Sequence, residues 1–198
     1  MIRELMNSHV AFRILLAVPA TLILARYAIA GGGLGQVIGA SGEWAVRLLI
    51  MTLAVTPLRV LFKGQQWPMW LFKRRRDLGA AAFLYALLHV VAYVVRQSSP
   101  AVLLRDVMLI EYAMGWLALA AMLLPFLLSN DLALRWLGTW WKPVQRLAYV
   151  AAVAAFLHWL WMKRDDTAAL VHFAPLAVLE AYRLWYHFVR PNARRPEE

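Results

Sequence analysis

Residues 74–94 read RRRDLGAAAFLYALLHVVAYV, and this stretch decides the fold. A cluster of three arginines and Asp77 is followed by an apolar run in which His89 is the only side chain that titrates near neutral pH. About 20 predominantly apolar residues make a helix that crosses a bilayer. Residues 146–162, RLAYVAAVAAFLHWLWM, repeat the pattern around His158. His89 lies 13 residues after Arg76 and His158 lies 12 after Arg146. On helices, both imidazoles sit roughly 18–20 Å beyond a charged border.

The composition extends this reading to the whole chain. Of 198 residues, 63% are hydrophobic and only 16% are charged, where a soluble domain is nearer a quarter charged. Apolar runs predict an all-α bundle of six membrane-spanning helices at roughly 10–30, 43–62, 78–96, 107–128, 146–162 and 169–189. The fifth is short for a span and begins inside the preceding loop. The first is too long for the apolar core of a signal peptide and is read as a mature helix. Little chain is left outside the spans, so residues 1–198 form one membrane domain with no soluble catalytic unit. The net charge of +10 follows from topology rather than from nucleic-acid binding. Alternating the spans puts fourteen Lys and Arg on one side, including Arg3, Arg190, Arg194 and Arg195, against six on the other, including Arg164. The richer side is cytoplasmic, with both termini there, as expected in a bacterial inner membrane.

Cysteine is absent, which excludes disulfides, iron–sulfur clusters and thiolate-bound haem. Two histidines at one depth in a bundle can grip one iron from opposite sides, the arrangement a b-type haem requires. Alanines share a helix face with each: Ala82, Ala86 and Ala92 with His89, and Ala151, Ala154 and Ala155 with His158. Small residues there leave space for a flat macrocycle, and they equally allow close helix packing. Arg96, seven residues beyond His89, and Arg47 on helix 2 are the cations placed to meet haem propionates. Each could instead reach toward lipid headgroups. His9, His172 and His187 fall near span ends. Glu111 and Glu180 are acids inside spans, with Arg183 placed to pair Glu180. The run Lys73-Arg74-Arg75-Arg76 reads as a topology anchor on anionic lipid, and as a surface for an acidic partner or a flavin phosphate. The glycine-rich segment Gly31–Gly42 reads as a turn. No nucleotide-binding glycine motif, HExxH or GxSxG pattern occurs.

Four strings in this order resemble the MsrQ/YedZ family: GGxLG near Gly32, TLAVTPLR (52–59), residues 74–94, and RWLGTWWKPVQRLAYVAAVAAFLHWLW (135–161). The resemblance covers nearly the whole chain, most closely about 31–162. It implies a haem-binding membrane subunit of the ferric-reductase-like class with His89 and His158 as ligands. It further implies electrons taken from a cytoplasmic flavin reductase or the quinol pool, with FMN or a quinone as accessory cofactor. The implied acceptor is a periplasmic molybdopterin reductase that repairs oxidised methionine, so substrate chemistry falls on that partner. One position departs from the family pattern. Gln145 stands where a further histidine is often found, which removes a ligand for a second haem about 20 Å nearer the cytoplasm. Two other readings stay open: a stand-alone ferric or quinone-linked reductase, and a non-redox transporter or scaffold.

Overall fold

The computed structural model describes residues 8–97, 99–163 and 166–189. Arg3, Arg164, Arg190, Arg194 and Arg195, counted in the charge asymmetry, lie outside the described residues. The elements are α1 (His9–Ile29), α2 (Leu34–Leu61), α3 (Gln66–Lys73), α4 (Arg75–Arg96), α5 (Pro100–Val107), α6 (Ile110–Leu127), α7 (Asp131–Leu137), a 3₁₀ turn at Gly138–Trp140, α8 (Trp141–Gln145), α9 (Leu147–Lys163) and α10 (Asp166–Phe188). No strand occurs among the described residues. Four helices, α1, α2, α4 and α6, are long and apolar enough to cross a membrane. The stretches expected as fifth and sixth spans form α9, of 17 residues, and α10, of 23.

α2 is the central stave. Its Leu48, Leu49, Leu53 and Val55 are buried, and α4, α10, α1 and α9 pack around it. Its buried hydroxyls are satisfied within the helix, Ser41 donating to Val37 O at 2.6 Å and Thr52 to Leu48 O at 2.7 Å. Lipid gives no hydrophobic drive for helix association, so close packing must supply it. Accordingly Ala82, Ala151 and Ala169 are fully buried at helix contacts, and Ala92 and Ala154 nearly so. The outer faces remain apolar, with Leu22, Val95, Leu117, Val153 and Val178 exposed. That exterior suits acyl chains rather than water.

The glycine segment differs from its sequence reading. Only its first residues turn, with Gly31 in the left-handed region at φ 65°. The helix begins at Leu34 and contains Gly35, Gly39 and Gly42. Tertiary packing overrides propensity here: two of these glycines lie against side chains of α4, as described below.

α1 is held differently from the rest. It buries none of its residues. Asp77 of α4 accepts from Arg13 Nε at 2.7 Å and pairs with His9 Nδ1 at 2.7 Å. Beside Pro19, which lacks an N–H, the Tyr85 hydroxyl enters the helix ladder. It accepts from Ala20 N at 2.7 Å and donates to Leu16 O at 2.9 Å.

The basic run does not form one cationic face. Arg74 is buried, its guanidinium 4.0 Å from the Trp70 ring centre. Arg75 donates inward to Thr52 O at 3.1 Å, and Arg76 meets Asp131 at 2.5 Å.

Candidate cofactor-binding site

A cavity of about 440 Å³ lies among α2, α4, α6 and α9, within the range usual for cofactor sites. His89 of α4 and His158 of α9 both line it. Their ring centres are 6.2 Å apart and their planes are 84° to one another. An imidazole–metal bond of about 2 Å on each side, plus about 1 Å from nitrogen to ring centre, separates two opposed ligands by about 6 Å. The pair is therefore spaced as two imidazoles on one metal ion would be.

The hydrogen bonds fix which nitrogen is available. His89 Nδ1 donates to Ile38 O at 2.8 Å, and His158 Nδ1 donates to Glu111 O at 2.6 Å. A carbonyl can only accept, so each Nδ1 carries the proton and each Nε2 keeps its lone pair. This tautomer and this orienting bond are what metal-ligating histidines use. Each ring rests on bare helix backbone. A Cβ added at Gly42 would lie 2.8 Å from His89 Nδ1, and one at Gly115 would lie 3.0 Å from His158 Nδ1. The accepting carbonyl is four residues before the glycine in both places, so α2 and α6 present the same seat.

Among the described residues no group of three or more His, Cys, Asp and Glu could hold a bare metal. Two neutral imidazoles leave a six-coordinate ion four positions short. A macrocycle supplies those four, and the rest of the cavity fits one. Ala45, Val46, Leu49, Ala118, Leu119 and Met122 give an apolar body. Glu43, Tyr93, Arg96, Gln97 and Tyr112 give a polar end near the C-terminus of α4. Tyr93 donates to the buried Asp106 at 2.9 Å, which ties α5 over that end.

The other sequence candidates fall as follows. Arg96 lines the cavity and lies against Gly35. Arg47 is absent from the lining; it pairs with Glu43 at 3.1 Å and donates to His172 Nε2 at 3.4 Å. Ala86 and Ala155 face the cavity, whereas Ala82, Ala92, Ala151 and Ala154 are spent on packing. His9, His172 and His187 are not in the lining. Glu111 contributes its carbonyl to His158. Gln145 donates to Pro125 O at 3.3 Å, and Trp141 Nε1 to Leu128 O at 3.1 Å, so both serve carbonyls left open at the end of α6. The sequence reading missed Gly42 and Gly115. Its available signal was a lone glycine inside an apolar helical run.

A membrane bundle with two histidines 6.2 Å apart in one cavity matches a known class. Residues 41–156 match the family described as "Ferric reductase like transmembrane component". Proteins of Brucella anthropi, Brucella ovis and Brucella suis, each called "Protein-methionine-sulfoxide reductase heme-binding subunit MsrQ", are 33% identical over 156 residues. Those alignments cover 77% of this chain and 67% of each relative. The chain belongs to the MsrQ/YedZ family.

Proposed function

We propose that this chain is a haem-binding electron-transfer subunit of the membrane, in which His89 and His158 would hold one haem b. The observation that carries the proposal is the pair of imidazoles 6.2 Å apart, each with Nδ1 tied to a helix carbonyl. The names of the relatives support it. Bound haem would supply a one-electron iron couple. The chain's own part is to present two Nε2 lone pairs, exclude water with the apolar wall, and offer Arg96 to the propionates. Charge distribution supports six crossings by α1, α2, α4, α6, α9 and α10, with both termini cytoplasmic and the cavity in the outer half of the inner membrane. Electrons would then leave toward a periplasmic molybdopterin reductase acting on methionine sulfoxide. They would enter from a cytoplasmic flavin reductase or from quinol, with FMN or a quinone as the accessory cofactor that the family resemblance leaves open. Gln145, occupied with Pro125 O, favours one haem over two.

A pyridine haemochrome assay on purified protein, with protein quantification, tests this. About one haem b per chain is expected. A colourless protein after haem-replete expression would sink the proposal in favour of a transporter or scaffold. Reduction of the haem in membranes by quinol or by a flavin reductase then identifies the donor. Ferric reduction without a periplasmic partner would support the stand-alone reductase instead.

A further inference from the structure

We propose that Gly42 and Gly115 are positioning residues that hold the His89 and His158 imidazoles crosswise, and that the crossing sets the electronic state of the iron between them. The inference rests on the haem reading above.

The angle has an identifiable cause. A histidine χ2 torsion has broad minima, so the ring plane is set by what the ring touches. Here each ring touches the same construction, a glycine with a carbonyl four residues earlier: Gly42 with Ile38 O, and Gly115 with Glu111 O. The missing Cβ lets Nδ1 reach a carbonyl otherwise covered by side chain. Once that bond is made, rotation about χ2 would break it. The two seats lie on different helices, α2 and α6, and they fix the planes 84° apart.

The consequence follows from ligand bonding. An imidazole donates into the metal through a filled π orbital perpendicular to its ring. Two parallel rings act on the same iron d orbital and split it from its partner. Crossed rings act on one d orbital each, and the two stay nearly equal in energy. A low-spin ferric ion with nearly degenerate orbitals keeps much of its orbital moment. Its paramagnetic resonance spectrum then shows one feature at very large g in place of a three-line rhombic pattern. The Nδ1–H bonds also make both imidazoles stronger donors, which favours the oxidised ion and holds the midpoint potential down.

The experiment compares wild type, Gly42→Ala, Gly115→Ala and Gly79→Ala by electron paramagnetic resonance and redox titration of the haem-loaded protein. Wild type should show the single large-g feature. Each seat variant should push its ring off the carbonyl, convert the signal toward a rhombic pattern, and raise the midpoint potential. Gly79→Ala is the control on α4, because its Cβ would meet Thr52 Cγ2 at an ordinary 3.5 Å; it should match wild type. If Gly42→Ala, the tighter site, yields no folded protein, the wild-type spectrum and Gly115→Ala decide. A rhombic wild-type spectrum from a bis-histidine haem overturns the inference and leaves the haem reading standing. Seat variants unchanged in both spectrum and potential also overturn it. Wild type without haem overturns both.

Discussion

The two halves of the helix bundle treat polar groups in opposite ways. In the half near the C-terminus of α4, glycine strips the wall and two imidazoles face a cavity. In the half near its N-terminus, polar side chains occupy the interior and satisfy one another. Arg75 reaches Thr52 O, and Arg183 bridges Glu180 at 3.0 Å and the Tyr149 hydroxyl at 2.8 Å. Tyr149 in turn donates to Glu180, Gln145 closes on Pro125 O, and Phe83 stacks on Phe126 at 4.4 Å. Buried polar groups in a membrane must find partners. One half leaves its imidazole Nε2 atoms open for a guest, while the other pairs these polar groups with one another. The difference teaches that ligand capacity here is decided by what surrounds a histidine level, and not by the histidine alone.

The largest expected effect comes from removing an open ligand. His89→Ala and His158→Ala should each abolish the haem absorbance band, read against total protein. A retained low-spin spectrum in either variant would break the contrast between the halves. Next is Glu180→Ala, which leaves Arg183 half-buried without its carboxylate. It should cost about 1.5–3 kcal/mol in thermal or denaturant unfolding while the haem spectrum stays unchanged. A changed spectrum would mean that the two halves are coupled.

A smaller effect is expected from Gln145→His, which places a histidine in the half near the N-terminus of α4. Haem stoichiometry should stay as in wild type, because Arg75 and Arg76 stand at the opposing level and bind no iron. Stability should fall by about 1 kcal/mol through the lost bond to Pro125 O. A second haem would show that this half also accepts a guest. Smallest is the Arg76–Asp131 pair at the rim. The Arg76 hydrogen bond lowers the Asp131 pKa below the ordinary carboxylate range. A lowered carboxylate pKa stabilises the fold above its unfolded value and loses that contribution as pH falls through the folded one. The melting difference between wild type and Arg76→Ala should therefore shrink on acidification, and it should be slight throughout because Asp131 is exposed.

Much of the fold was legible because hydropathy is a bulk property. The apolar stretches around His89 and His158 became α4 and α9. Pairing of the two histidines was legible from their matched distance to a charged border. What escaped was everything that depends on a neighbour. Gly31–Gly42 looked like a turn because glycine favours one in isolation. Its role as a bare wall for His89 exists only once α2 and α4 are packed. Arg47 looked equivalent to Arg96, and only the nearby Glu43 and His172 distinguish them. Gln145 read as a lost ligand, and its task at the end of α6 required knowing where Pro125 ends up.

The hydroxyl of Tyr85 has a consequence for the order of assembly. Leu16 and Ala20 are four apart, so their backbone groups would bond each other if Tyr85 withdrew. A helix latched this way reseals when it leaves, and undocking strands no backbone group in lipid. None of the residues lining the cavity belongs to α1. α1 can thus dock after the other helices, and its arrival or departure leaves the walls around His89 and His158 complete.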